Sequence, residues 1–254
     1  HLLEAHGTAY RVIHALDGKA QVGLVKSIPL FEALDPSDAA SVRAAGFVNY
    51  VFNELALRAV EDGKLRPPLA TGLATHGPLL DSVDFVGVNY YTRERVSLHR
   101  QSEGRLRLLQ PTPGAEVSDS GRHGTYGEVY PEGLYRALKR ASQLGKPIYV
   151  TENGLPDADD DQRPRFLLTH LAQLHRAIGE GVDVRGYYHW SFIDNFEWAE
   201  GWGLRFGLVA LDETTQSRTP RPSARLFSDI IRANGLTREM VAAYAPEALP
   251  ELLA

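Results

Sequence analysis

The chain has no cysteine and a single methionine among its 254 residues. The missing thiols exclude disulfides, thiolate nucleophiles and zinc–cysteine centres, and they are compatible with a reducing compartment, so a cytoplasmic protein is expected. No stretch approaches the ~18 consecutive apolar residues that a membrane helix needs, and no membrane partner is expected. Basic excess is also lacking. With 27 Lys and Arg against 32 Asp and Glu the net charge is −5, which offers no footprint for nucleic acid. The nine histidines are scattered rather than set at ligand spacing, so no metal is expected. No glycine-rich phosphate loop follows any apolar run, which leaves a nucleotide nothing to sit on, and no cofactor is expected. An initiator methionine and a signal peptide are both absent. The chain opens at His1-Leu2-Leu3-Glu4 inside a helical pattern, and it reads as part of a longer product.

What is present alternates. Leu2, His6, Ala9, Ile13 and Leu16 fall on one helical face that stops at Asp17-Gly18. Gln21 to Ile28 reads as a strand, and Ser37 to Glu61 as a helix with Val48, Phe52, Leu55 and Ala59 aligned. Val83 to Tyr91 is a second apolar strand that turns polar at its end. Arg93 to Gly127 carries few apolar residues and should be a long excursion. A helix from Pro131 leads to a third strand at Ile148, and one from Phe166 to Glu180 leads to a fourth over Val184 to Trp190. Phe206 to Leu211 should form an extension or hairpin, and Ala224 to Ala233 a last helix, followed by a tail over residues 236–254. Asp157 to Asp161 reads as a solvated acidic turn. Strand–helix alternation implies an α/β protein with a parallel sheet. Four units are too few for a closed barrel of eight strands, so the chain is either a small open sheet or half of a barrel.

Two stretches carry chemistry. Ile148-Tyr149-Val150-Thr151-Glu152-Asn153-Gly154 delivers a carboxylate to a strand-to-loop corner, where it is rigidly held yet open to a substrate. All three tryptophans lie between Trp190 and Trp202, interleaved with Asp194, Asn195, Glu197 and Glu200. Indole faces beside carboxylates suit sugars, because the ring covers the C–H face while polar groups take the hydroxyls.

Thr151-Glu152-Asn153-Gly154, the run Trp190-Ser191-Phe192-Ile193-Asp194-Asn195-Phe196-Glu197-Trp198, Arg205-Phe206-Gly207, Asn89-Tyr90-Tyr91 and Val129-Tyr130-Pro131-Glu132-Gly133-Leu134 resemble glycoside hydrolase family one, the β-glucosidase family. The resemblance runs in the family's order over nearly the whole chain. It implies a retaining β-glycosidase on a (β/α)8 TIM barrel, of which this chain is the C-terminal half, strands five to eight. Glu152 resembles the nucleophile and Tyr91 the tyrosine that hydrogen-bonds it, with Asn89 beside them. Trp190, Glu197 and Trp198 resemble the residues that hold the sugar hydroxyls, and Phe206 matches a position lining the same subsite.

The departures are as informative. The family's acid/base glutamate sits in an Asn-Glu-Pro motif, whereas here Asn53-Glu54 is followed by Leu55 inside a helical pattern. Retaining hydrolysis needs two carboxyl groups about 5–5.5 Å apart. The expectation is therefore half a mechanism, completed by an N-terminal half-barrel partner of roughly 170–200 residues carrying the second acid. The alternative is a non-catalytic sugar-binding half-barrel. Where the family carries a leaving-group-site tryptophan this chain has Gly127 with Tyr126 beside it, so Tyr126 becomes a substrate-binding candidate. The intact Glu197-Trp198 pair, with Leu204 before Arg205, favours a neutral sugar.

Overall fold

The computed structural model describes residues 1–69, 74–75, 79–98, 108–122 and 124–252. Strands β1 (Gly23–Ser27), β2 (Phe85–Tyr90), β3 (Ile148–Asn153) and β4 (Val184–His189) form one four-stranded sheet in that order, every neighbour parallel. Parallel neighbours need crossovers, and helices supply them. Helix α1 (Leu2–Leu16) precedes β1, while α2 (Ala39–Asn49) and α3 (Leu55–Asp62) join β1 to β2. Helix α4 (Pro131–Ser142) joins β2 to β3, α5 (Arg163–Gly179) joins β3 to β4, and α6 (Pro222–Ala233) and α7 (Arg238–Tyr244) follow β4.

Alternation along the strands decides the layers. Val86, Val88 and Tyr90 of β2 and Ile148 and Val150 of β3 point outward and are buried with Leu134, Ala137, Leu138 and Ala141 of α4. Helix α4 begins with Pro131 at a position where a missing N–H costs nothing, and Lys139 and Arg140 favour its C-terminal dipole. Each buried Leu or Val contributes about 1.5–3 kcal/mol, so truncating Leu138 costs about 2–5 kcal/mol once the cavity is included. The opposite face is uncovered: Val25 is 49% and Tyr188 60% exposed. Among the described residues β1 pairs with β2 alone and β4 with β3 alone, so both edges are open. No helix among them is long and apolar enough to cross a membrane.

The excursion is partly ordered into short strands. Arg93–Val96 pairs in parallel with Leu30–Ala33, and Ser120–Gly121 pairs antiparallel with Gly124–Thr125; residues 99–107 and 123 lie outside those described. Phe206 to Leu211 contributes a hairpin, with Val209–Leu211 antiparallel to Arg218–Pro220. In the tail, Val241, Ala245 and Ala248 are buried against Leu167 and Leu168 of α5 and Leu226 and Ile230 of α6.

Three expectations are corrected. In α1 the apolar stripe is outside: Leu2 is 90%, Leu16 85% and Ile13 39% exposed. The helix docks instead through polar anchors, with Tyr10 Oη and His14 Nε2 at 2.9 and 2.8 Å from the Asp84 carboxylate, which also accepts from Val22 N at 2.8 Å. Between α2 and α3 a π-helical turn, Tyr50–Glu54, adds a residue to the turn and rotates the stripe, leaving Phe52 47% exposed and burying Leu55, Leu57, Ala59 and Val60. Asp157 to Asp161 is not plain surface, since Asp157 and Asp160 are buried. Asp157 accepts from the amides of Asp160, Gln162 and Arg163, two of them free donors at the start of α5, and Asp160 pairs with the buried Arg163 guanidinium. Its other contacts are to Ser223 N at 2.8 Å and Ser223 Oγ at 2.6 Å, in the first turn of α6.

Candidate active site

Glu152 sits where β3 ends, and the chain must turn at once. A Cβ on Gly154 would lie 1.8 Å from the carbonyl oxygen of Trp190, so only glycine fits between the ends of β3 and β4. The Tyr91 phenol donates to Glu152 Oε2 at 2.6 Å, the geometry of a charge-assisted bond. Asn89 is the register partner of Glu152, and its Oδ1 accepts from Thr151 Oγ1 at 2.6 Å. Burial, and then the Glu152 charge, push the Tyr91 hydroxyl far above its ordinary range, so it stays a donor.

Phe206 is buried and stands edge-on to Tyr126 at 5.0 Å and to Tyr91 at 6.3 Å, and Tyr126 meets Tyr91 at 5.5 Å. Gly127 allows this arrangement. Its φ is +158° and a Cβ there would sit 2.3 Å from Thr92 Oγ1, so the aromatic wall is built from Tyr126 instead. The Tyr126 hydroxyl is pushed up to about 12 by burial and by the charges of Glu197 and Glu152.

Burial, and with it the nearby Glu152 charge, holds Glu197 above the usual carboxylate range against the opposing pull of Trp190. Two carboxylates thus share one field with a phenol on either side. Trp198 is not gathered in: it is 83% exposed on a short turn, near Phe196 at 58% and Phe192 at 73%. Asp194, read from sequence among the sugar-binding polar groups, is buried and structural. It accepts from Gly207 N at 2.8 Å, Leu211 N at 3.2 Å and both Nη atoms of Arg221 at 3.0 Å, and so fixes the loop carrying Phe206. Glu54 is spent elsewhere, on Arg140 at 2.7 Å and Arg58 at 2.9 Å in the helical layer. Sequence reasoning missed Asn153 and Tyr187, which are hydrogen-bonded to each other at 2.9 Å behind Glu152; Asn153 was signalled only by its place next to Glu152, and Tyr187 by nothing in the sequence. Asp157, Asp159 and Asp161 place oxygens within 4.8 Å of one another, but the Asp157 carboxylate is already saturated by amides. A groove of about 610 Å³ between α5 and α6 holds none of these residues.

The family model for glycosyl hydrolase family 1 matches residues 1–236. The chain belongs to that family. It is 34% identical to a β-galactosidase of Pyrococcus woesei over 94% of this chain and 51% of the relative, and 32% identical to β-glucosidase A of Thermotoga maritima over 92% and 56%. Among solved structures, a β-glycosidase from Pyrococcus horikoshii superposes with a TM-score of 0.80 at 40% identity, covering 96% of this chain and 55% of that one. A Thermotoga maritima β-glucosidase in complex with castanospermine gives 0.74 at 29%. The chain therefore spans about half the length of the curated family 1 relatives it matches, and its parallel sheet is part of a (β/α)8 barrel.

Proposed function

We propose that this chain supplies the nucleophile and sugar-binding side of a retaining β-glycosidase acting on β-glucosides or related neutral glycosides. The observation that carries the reading is the Glu152 carboxylate at a barrel strand's C-terminal end, oriented by the Tyr91 phenol at 2.6 Å. Glu152 attacks the anomeric carbon and forms a glycosyl ester while the leaving oxygen takes a proton; water then hydrolyses the ester. Trp190 and Glu197 bind hydroxyls, Asn89, Tyr126 and Phe206 complete the walls, and Trp198, exposed in this half, joins them only when the other half is present. Because Asn53-Glu54 is committed to the helical layer, the proton donor comes from an N-terminal half-barrel pairing with the open edges of β1 and β4. The uncovered sheet face and the exposed apolar stripe of α1 support that partner. A cytoplasmic setting belongs to the same proposal.

A fluorinated glycoside that traps the intermediate tests the reading in the complete enzyme. The sugar should be found on Glu152 by mass spectrometry, and Glu152→Gln should abolish turnover with the fold intact. An adduct on another residue refutes the assignment, and binding without any adduct favours a sugar-binding protein.

A further inference from the structure

The register of β3 breaks just before its carboxylate. Val150 pairs with Val88 but Glu152 with the next residue, Asn89, and on the other side Val150 pairs with Tyr187 while Asn153 pairs with His189. Against both neighbours β3 has one residue too many between Val150 and Asn153, which is a bulge shared by two ladders. A bulge re-aims the side chain beside it and removes ladder hydrogen bonds from the backbone there. The aim of Glu152 therefore needs support from something other than the sheet.

Asn153 supplies it. The residue is fully buried, its Nδ2 donates to the carbonyl of Tyr90 on β2 at 2.7 Å, and its own carbonyl accepts from Trp190 N at 3.0 Å past the end of β4. Its Oδ1 accepts from the Tyr187 phenol of β4 at 2.9 Å, so one amide side chain spans three strands. Tyr187 is itself packed near Phe227 of α6, ring centroids 6.0 Å apart, and Tyr90 Oη is tied to the Tyr130 carbonyl at 2.7 Å. The strand bearing Tyr91, which holds Glu152 from the front, is thus clamped to the strand bearing Glu152 from behind.

We propose that Asn153, oriented by Tyr187, is a positioning residue that sets the attack geometry of Glu152. The proposal rests on the reading of Glu152 as nucleophile. It acts through Glu152 without touching sugar, so it bears on the rate of glycosyl-ester formation and not on how tightly an unreacted sugar is held.

Two variants of the complete enzyme test it by different losses: Asn153→Asp removes the donor to Tyr90, and Tyr187→Phe removes the donor to Asn153 while keeping the ring in place. The rate at which a fluorinated glycoside is trapped should fall roughly tenfold to a hundredfold in each, as small misplacements of a reacting group do. The dissociation constant of an unhydrolysable thioglycoside should stay at the parent value, while the melting temperature of Tyr187→Phe falls only by the little that one lost buried hydrogen bond costs. A trapping rate unchanged in Tyr187→Phe, or thioglycoside binding that weakens in step with trapping, overturns the proposal. If the parent enzyme carries the trapped sugar elsewhere than on Glu152, the nucleophile reading fails first, and the mass of the labelled peptide tells the two failures apart.

Discussion

Acid should weaken this fold through two histidines, and the size of the effect can be worked out. His170 is fully buried, its ring stacked on Phe166 at 3.7 Å and its Nδ1 2.9 Å from the Phe166 carbonyl. Burial pushes its pKa down to about 3 from an ordinary 6.5. His189, both ring nitrogens buried, is pushed down to about 3 as well, by burial and then by the Arg163 charge. The native imidazoles stay neutral while those of the unfolded chain take up protons. Stability is thus complete above about pH 6.5 and is lost as pH falls toward 3. At about pH 5 an unfolded histidine is protonated roughly thirtyfold over its neutral form, which favours unfolding by about 2 kcal/mol per residue. Any native value below about 4 gives the same result, so the figure rests on burial alone. For the pair it is about 4 kcal/mol, a large part of the ~5–15 kcal/mol that holds a domain together. Urea unfolding of the complete protein at about pH 7.5 and about pH 5 reads the loss. In His170→Gln the drop between the two should be smaller than in the parent by about 2 kcal/mol, because the other carboxylates and histidines cancel in the comparison. Equal drops in both proteins would mean that the native ring reaches water and would refute the argument.

Other outcomes can be read directly. Tyr91→Phe removes a bond to a charged group worth about 1.5–3 kcal/mol, so kcat/KM on an aryl glycoside should fall roughly tenfold to a hundredfold, and unchanged kinetics would detach Tyr91 from catalysis. Glu197→Ala should cost at least that much, more in kcat than in binding, since hydroxyl contacts tighten as the sugar distorts. The 254-residue chain by itself should aggregate or bind hydrophobic dyes and show no turnover, and adding the N-terminal half should restore both solubility and activity. A compact, cooperatively melting monomer near 28.1 kDa in light scattering would contradict this.

The strands were legible because each is a short apolar run facing a helix, and the observed sheet keeps the four expected strands in order. The placement of Glu152 at a strand end was legible for the same reason, as an acid closing an apolar run. The helical faces were less so. In α1 two hydrogen bonds to Asp84, from Tyr10 and His14, outweigh an apolar stripe that periodicity alone would bury. In the second helix one π turn shifts the phase, which no counting of three and four can foresee. Asp157 and Asp160 were misread because their partner, the Arg163 side chain, reveals nothing of its burial in a run of charges. The Asn153–Tyr187 bond joins residues 34 apart, and such a pair shows only when the strands are laid side by side.

The Asp160 carboxylate has a consequence for how the molecule opens. It accepts from Arg163 in the first turn of α5 and from Ser223 at the start of α6, so neither helix can unwind from its beginning without releasing the other. Both also share one apolar cluster with helix α7. Amides along α5, α6 and α7 should then exchange with deuterium at a common rate as one cooperative unit, and Asp160→Asn should accelerate all three together, while α1, moored separately at Asp84, keeps its own slower or faster clock.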